Sequence, residues 1–231
     1  MKCKKIRSTG FTLLESMICV LLIMVVVGAV FSQMRKAQAS YRVEGQKVDL
    51  TQQEREFIDQ FARDLRQAGY PGPYTVGVIP PVPLNDVRIS AGVTAISPNS
   101  LTLEGDLDNS GKVQIVTYSY NNSTNFPCPC IQRTVATKDG ILAPATYTEV
   151  QNMVDPGAQG IFLAYDANGN AQPGLALTLP AGATTKDANY LQLHQIKSVR
   201  VTFTLQGQSR ELNGSTPIQV TMTAMGRIPN D

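Results

Sequence analysis

Residues 10–31 have the sequence GFTLLESMICVLLIMVVVGAVF, an apolar run in which Glu15 is the only charged side chain. As a helix, residues 11–31 would be about 30 Å long, which matches the hydrocarbon core of a bilayer. The residues before the run are basic and none is acidic: Lys2, Lys4, Lys5 and Arg7. We therefore predict a membrane-spanning helix with a cytoplasmic amino terminus, because basic residues concentrate on that side of the membrane.

Proline and glycine divide the 231-residue chain into two unlike parts. All 14 prolines lie from Pro71 onward, together with most of the 18 glycines. Because these residues interrupt long helices and favour turns, we expect a long helix followed by a turn-rich sheet. A hydrophobic content of 42% with 16% charged residues excludes a disordered chain. The net charge of +2 does not by itself indicate a nucleic-acid-binding protein.

Glu15 distinguishes this segment from two simpler kinds of apolar segment. A secretory signal has an apolar stretch of about 7 to 15 residues, which is shorter than this one. A plain membrane anchor gives no reason for a carboxylate, which costs on the order of 2.5 to 3.5 kcal/mol when it faces lipid. No basic side chain lies within the run. Glu15 therefore indicates a partner outside its own helix, and an unrelated anchor whose glutamate faces some other membrane partner remains an alternative.

The order Gly10-Phe11-Thr-Leu-Leu-Glu15 after a short basic leader resembles the class III signal of type IV prepilins and pseudopilins. The resemblance implies that prepilin peptidase cleaves between Gly10 and Phe11 and methylates the new terminal amine of Phe11. It also implies a partner for Glu15, because a free α-amine is largely protonated at neutral pH. Pairing with Phe11 of a neighbouring subunit would set the filament register, since a misplaced subunit leaves both charges unpaired.

The helix is expected to continue beyond the membrane. Residues 32–68 contain no proline and carry seven basic and six acidic side chains, a mixture that is typical of a solvent-facing helix surface. One apolar stripe recurs at helical spacing and is predicted to pack against the sheet: Phe57, Phe61, Leu65 and Ala68. Gly69 and Pro71 form a stop signal. We predict one helix from about Phe11 to Ala68.

Residues 63–70, RDLRQAGY, resemble the helix-end motif of PilW-type minor pilins, in which Asp-Leu-Arg is followed by Ala-Gly-Tyr. With the leader and the apolar helix, the resemblance covers the first 70 residues. It implies a minor pilin that contacts prepilin peptidase, membrane lipid, major and minor pilins and the inner-membrane assembly platform of a type IV pilus. A J-like minor pseudopilin of a type II secretion system remains an alternative, as does a tip adhesin or DNA-binding subunit.

The expected fold class is α+β, the type IV pilin fold, with the long helix packed against a mainly antiparallel sheet. Its parts are a leader at 1–10, a membrane and filament-core helix at 11–31, an exported continuation at 32–70 and a β-rich head at 71–231. Alternating apolar residues predict strands at 199–205 and 218–224. Further strands are expected at 100–104, 113–120, 131–136, 146–150, 160–165 and 175–179. Turn signals indicate antiparallel connections at Asn109, Lys138, Ala167 and Asn213.

Two short segments of the head contain clustered oxygen ligands. Asp106, Asp108 and Ser110 alternate, with a glycine at the sixth position, as an EF-hand loop begins. The twelfth position is Thr117 rather than the bidentate glutamate of an EF-hand. The second segment is Asp166-Ala-Asn-Gly-Asn170. We favour a solvated hairpin turn for both, with calcium binding as the alternative.

Cys128 and Cys130 would reach the exported side, where thiols normally oxidise. We favour a disulfide that closes a tight loop, and free or intermolecular thiols, a metal site and a redox role remain alternatives. Cys-x-Cys without a nearby histidine is a weak zinc signal.

Other chemistry is sparse in the sequence. The single histidine, His194, is predicted to be a polar residue at a strand edge, and no Gly-x-Ser-x-Gly, His-x-x-x-His or P-loop pattern accompanies it. We therefore expect neither an enzyme nor a resident cofactor. From residue 71 onward there are nine basic and eleven acidic side chains, so broad electrostatic binding of nucleic acid is not favoured.

Overall fold

The computed structural model describes residues 12–73, 75, 77, 83–123, 128–210 and 216–228. The first element is a single helix, α1, which runs from Leu13 to Gln67 and contains 55 residues. The Thr12 side chain caps its start by accepting the backbone N–H of Glu15. At its end, the backbone N–H of Ala68 donates to the carbonyl of Asp64 at 3.0 Å. The predicted uninterrupted helix is confirmed, with bounds that differ by one or two residues.

Helix α1 has a free half and a docked half. Every residue from 13 to 39 is exposed, a length of about 40 Å at 1.5 Å per residue. Among the described residues, this is the one helix long and apolar enough to cross a membrane. The first buried position is Val43, and the docked half continues to the end of the helix at Gln67. The change from exposed to buried positions falls after the apolar run and before the apolar stripe that begins at Phe57. The sequence between them is rich in charged residues.

The described part of the head contains ten strands and a short second helix. The strands are β1 Val93–Ser97, β2 Ser100–Gly105, β3 Gln114–Asn121, β4 Cys130–Thr137, β5 Ala145–Val150, β6 Phe162–Tyr165, β7 Ala171–Gln172, β8 Leu177–Thr178, β9 Ser198–Arg210 and β10 Pro217–Arg227. Helix α2 is Ala188–His194, and a 3-10 turn occupies Gly157–Gln159.

The strands form two antiparallel sheets rather than the single sheet that was predicted. One has six strands in the order β5-β4-β3-β2-β1-β8, and the other has four in the order β10-β9-β6-β7. The longest pairing joins β9 to β10, from Ser198 opposite Arg227 to Arg210 opposite Pro217. The fold class is α+β, as expected: a long amino-terminal helix packed against antiparallel sheets.

Each of the eight predicted strands corresponds to an observed strand, and three elements were not predicted. The missed elements are β1, β7 and α2. Three of the turn signals fall between antiparallel neighbours, and positive φ angles occur there at Asn109, Gly140 and Gly169. The fourth turn signal, at Asn213, lies outside the described residues.

The apolar stripe of α1 packs against the sheets, as predicted, and it lies at the centre of the core. The ring of Phe61 is 5.3 Å from that of Tyr118 on β3 and 6.0 Å from that of Phe162 on β6. The ring of Phe57 lies 5.3 Å from that of Phe203 on β9. Both helix residues are fully buried and contact both sheets, so α1 serves as the shared core element of the head.

Candidate functional site

Glu15 lies in the first turn of α1 and is exposed. It is the only charged residue from Thr12 to Met34, and no ion pair joins it to another residue of the described part. Large apolar side chains around it are exposed as well, among them Leu13, Leu14 and Ile18. The structure therefore presents one carboxylate within an apolar helix surface. The predicted cleavage and methylation residues, Gly10 and Phe11, lie outside the described residues.

The motif at residues 63–70 fastens the end of α1 to the head. Asp64 is 1% exposed, and its Oδ2 accepts the hydroxyl of Tyr118 at 2.6 Å and Nε of Arg133 at 2.9 Å. Its Oδ1 accepts Nε2 of Gln60 at 2.7 Å. Burial and the adjacent Asp64 carboxylate raise the pKa of the Tyr118 hydroxyl far above its usual range. The carboxylate is thus satisfied, and it links α1 to β3 and β4.

The residues after Asp64 continue this attachment. Ala68 pairs with Gly105 at the end of β2, and the backbone N–H of Gly69 donates to the carbonyl of Glu104 at 3.0 Å. The carbonyl of Tyr70 accepts the backbone N–H of Asp106 at 2.8 Å. Gly69 has φ of 92°, a conformation that glycine adopts without strain. In this chain, the motif therefore joins the helix end to strand β2.

A second buried ion pair holds residues 83–91 against the six-stranded sheet. Lys138 Nζ donates to Glu104 Oε2 at 2.7 Å and to the carbonyls of Leu84 and Ile89 at 2.6 and 3.0 Å. Glu104 Oε2 also accepts the backbone N–H of Ala91 at 3.0 Å. The ammonium and the carboxylate oxygen are both well supplied with partners, as a buried pair requires. Sequence reasoning missed this cluster, because its members lie far apart in the chain.

The two clusters of oxygen ligands differ in how their aspartates are satisfied. In the first loop, the Gly111 N–H donates to Asp106 Oδ2 and the Ser110 N–H to Asp108 Oδ1, both at 3.0 Å. Asp106 is 8% exposed, and its Oδ1 has no hydrogen-bond partner. No group of three or more His, Cys, Asp or Glu side chains suited to a metal occurs among the described residues.

The second loop is closed on itself. Asp166 Oδ1 accepts the backbone N–H groups of Asn168 and Asn170 at 2.9 and 2.8 Å. Its Oδ2 accepts Nδ2 of Asn170 at 3.0 Å. These bonds lower the pKa of the Asp166 carboxyl. Both oxygens have partners within the turn, in agreement with a solvated hairpin.

Cys128 and Cys130 are joined in a disulfide. The bond joins Cys128 to the start of β4, where Cys130 is buried as the first residue of the strand. The carbonyl of Pro129, between the two cysteines, accepts the backbone N–H of Met153 at 2.9 Å. The disulfide therefore closes a loop that is also tied to the segment after β5. Cys19 is a free thiol on the exposed half of α1.

The prediction that His194 lies at a strand edge is wrong. His194 is the last residue of α2, and its ring stacks on that of Tyr190 with 5.4 Å between the centroids. Burial, with a smaller contribution from Lys197, lowers the pKa of His194. The helix was missed because it is only seven residues long and buries just Tyr190 and Leu193, too few positions for a periodic signal.

Comparisons with known proteins return no match for this chain. A scan against protein-family models finds no matching family. A search of curated proteins and a search of solved structures find no significant match either. The function is therefore inferred from the motifs of the sequence and from the geometry described above.

Proposed function

We propose that this chain is a minor pilin, a subunit of a type IV pilus that prepilin peptidase processes and that enters the filament or helps to initiate it. The observation that carries the proposal is Glu15, a lone carboxylate on the exposed apolar half of α1. Lipid disfavours the charge of Glu15, and water disfavours the apolar side chains around it. Neither alone is therefore a suitable environment for that surface.

The apolar half of α1 would occupy two environments in turn. Before assembly it lies in the inner membrane, with the basic leader in the cytoplasm and the head exported. After assembly the same exposed side chains, among them Leu14, Ile18 and Leu22, pack against helices of neighbouring subunits. Because lipid tails are as apolar as leucine, this exchange depends on close packing and on polar pairing rather than on the hydrophobic effect.

Glu15 would supply that polar pairing. Cleavage between Gly10 and Phe11 creates an α-amine that is largely protonated at neutral pH. One new cation per subunit then matches one carboxylate per subunit. A subunit in the wrong register would leave both charges unpaired in a low-dielectric core, so the pair would select one register.

The attachment of the head to α1 also suits a filament subunit. Asp64, Tyr118 and Arg133 link the helix to the six-stranded sheet, and residues 68–70 join its end to β2. The helix also packs along β9 and β10. Such an attachment would hold the head in a fixed orientation once the free half of α1 is packed in the filament.

The test is incorporation of Glu15→Ala into filaments, with Glu44→Ala as the matched control. Glu44 is an exposed glutamate on the same helix, outside the apolar run. We expect Glu15→Ala to be inserted and cleaved like the wild-type protein, but recovered from sheared filaments at least about tenfold less. Loss of one partner of a buried pair costs more than the 1.4 kcal/mol that corresponds to tenfold. Mass spectrometry of the amino terminus reports cleavage and methylation, and immunoblotting reports incorporation.

Normal incorporation of Glu15→Ala would contradict the proposal, and so would an equal defect in Glu44→Ala. Absence of cleavage after Gly10 would remove its chemical basis. Recovery of the cleaved chain from a type II secretion filament, rather than from pili, would instead identify a minor pseudopilin with the same assembly chemistry.

A further inference from the structure

We propose that the loop between β2 and β3 binds one calcium ion through side-chain oxygens of Asp106, Asp108, Ser110 and Gln114 and the backbone carbonyl of Lys112. The inference comes from this loop alone and does not depend on the proposed pilus function. It revises the preference for a solvated turn, because the structure adds an observation that the sequence could not provide.

That observation is the unpartnered oxygen of Asp106. The residue is more than nine-tenths buried, with 8% of its surface exposed, and Oδ1 has no hydrogen-bond partner. A buried carboxylate oxygen without a partner is costly, so an unpaired one points to a missing ligand. The Gly111 N–H donates to Oδ2 from across the loop, which directs the carboxylate into the loop. Oδ1 is therefore positioned to meet a cation there.

The rest of the loop places oxygen atoms at the spacing of a calcium-binding loop. Counted from Asp106, the positions used by an EF-hand loop are the first, third, fifth, seventh and ninth. They correspond here to Asp106, Asp108, Ser110, Lys112 and Gln114. The sixth position is Gly111, with φ of 79°, as the sharp turn of such a loop requires.

Asp108 and Gln114 are already close to each other. The side chains of Ser110 and Gln114 both lie within hydrogen-bonding reach of the Asp108 carboxylate. Asp108 Oδ1 accepts the Ser110 N–H at 3.0 Å, which holds the carboxylate within the loop, and a cation would replace the side-chain hydrogen bonds that Asp108 accepts from Ser110 and Gln114. Lys112 directs its ammonium to Asp139 at 3.6 Å, so its charge is at least partly offset.

The loop at Asp166 provides the contrast. It has similar residues, but both oxygens of Asp166 are satisfied inside the turn. A cation there would have to displace existing hydrogen bonds, whereas Asp106 Oδ1 has none to lose. Only the first of these two loops therefore carries the proposal.

The proposed site is of the weak type. Thr117, at the twelfth position, pairs with Thr102 inside the sheet and supplies no carboxylate. With two carboxylates and three neutral oxygens, water must complete the coordination. Such sites fall at the low-affinity end of calcium loops, with Kd about 10⁻⁴ to 10⁻³ M. Of the residues in this loop, Asp106 and Asn109 also line an open cavity of about 640 Å³.

Binding would have a structural effect on the head. The backbone N–H of Asp106 donates to the carbonyl of Tyr70, and the preceding Gly105 pairs with Ala68. An ion held by Asp106 would therefore brace the point where α1 ends. Because only the folded loop presents these oxygens together, calcium should stabilise the folded chain by mass action.

The test is a calcium titration of the full-length chain in detergent after treatment with EDTA. Thermal unfolding gives Tm, and isothermal titration calorimetry gives Kd. We expect Tm of the wild-type chain to rise with CaCl2 and Asp106→Asn to weaken binding at least tenfold. Asp108→Asn is the second variant should Asp106→Asn fail to fold. Asp166→Asn, in the loop that is already satisfied, is the matched control and should bind like the wild-type protein.

Three outcomes would overturn the proposal. The first is no heat of binding and no change in Tm up to roughly 10 mM CaCl2, well above the Kd of weak sites. The second is an equal effect of MgCl2, since magnesium demands a tighter octahedral site than this loop offers. The third is an equal loss of binding in Asp106→Asn and Asp166→Asn.

Discussion

Glu54 is a buried acid on the docked half of α1. Its surface is 0% exposed, and neither Oε1 nor Oε2 has a hydrogen-bond partner. Burial raises the pKa of this carboxyl above 4.5, the ordinary value for a glutamate. Like Asp106 Oδ1, its oxygens are enclosed and have no partner, but Glu54 lies within helix α1 and not in a loop of alternating oxygen ligands. We interpret Glu54 as a core residue that is protonated more readily than an exposed glutamate, and not as a site.

This interpretation predicts a pH dependence of stability. Because the folded pKa of Glu54 is raised, its contribution to stability is fully present below pH 4.5 and is lost as the pH rises through the folded pKa. Glu54→Gln cannot ionise, so it should become progressively more stable than the wild-type chain as the pH rises above 4.5. Thermal unfolding of the full chain in detergent from pH 4 to 8 measures this difference.

The matched control is Glu56→Gln, an exposed glutamate two positions away. Its stability should follow that of the wild-type chain over the same pH range. If Glu54→Gln also followed the wild-type chain, Glu54 would not ionise with an altered pKa, and its interpretation as a core residue with a raised pKa would be wrong.

At the scale of elements, the attachment of α1 to the six-stranded sheet depends on the buried charges of Asp64 and Arg133. The Arg133 side chain is 14% exposed and its Nε lies 2.9 Å from Asp64 Oδ2. Removing one partner of a buried ion pair leaves the other uncompensated, which typically costs about 3 to 5 kcal/mol. We therefore expect Asp64→Ala to lower the free energy of unfolding by about that amount.

A double-mutant cycle separates the pair from general damage to the helix. Asp64→Ala combined with Arg133→Met removes both charges, and it should be less destabilising than the sum of the single changes. Asp59→Ala, at an exposed position of the same helix, should change the free energy of unfolding by less than about 0.5 kcal/mol. Additive single effects would show that Asp64 and Arg133 are not coupled.

Local periodicity accounts for the elements that could be predicted from the sequence. The stripe from Phe57 to Ala68 repeats at helical spacing, and residues 199–205 alternate, so each pattern appears within one short segment. Helix α2 and strand β7 are too short to produce such a pattern. The division into two sheets could not be predicted, because it depends on which distant strands pair.

The same distinction applies to the candidate sites. The isolation of Glu15 and the spacing of Asp106 and Asp108 are visible in the sequence, since they depend on neighbouring residues. The networks of Asp64 and Lys138 join residues separated by 69 and 34 positions, so no local pattern indicates them. The unsatisfied Oδ1 of Asp106 depends on side-chain orientation, which only the folded loop provides.

At the scale of the whole molecule, α1 consists of an exposed part and a part that is packed into the head. Its residues from 13 to 39 are exposed throughout, whereas its buried positions from Val43 to Leu65 form part of the core of the head. The boundary lies several residues beyond the end of the apolar run at Phe31. The head should therefore retain its whole core without the exposed half of the helix.

This division predicts that a chain beginning at Ser40 folds as a soluble monomer. It keeps Val43, the first buried residue, and Gln46, whose Oε1 lies near Gly207 on β9.

A chain beginning at Thr51 is the matched control, because it also loses Leu50, which packs against the core. In the same detergent, Tm of the Ser40 chain should lie within about 2 °C of the full-length value, which corresponds to less than 1 kcal/mol. Tm of the Thr51 chain should fall by roughly 5 °C or more, because full burial of one aliphatic side chain contributes about 1.5 to 3 kcal/mol and this chain loses the buried Val43 and the partly buried Leu50. Size-exclusion chromatography without detergent reports the oligomeric state. Aggregation of the Ser40 chain, or equal Tm values for the two truncated chains, would place the boundary between the two halves of α1 elsewhere.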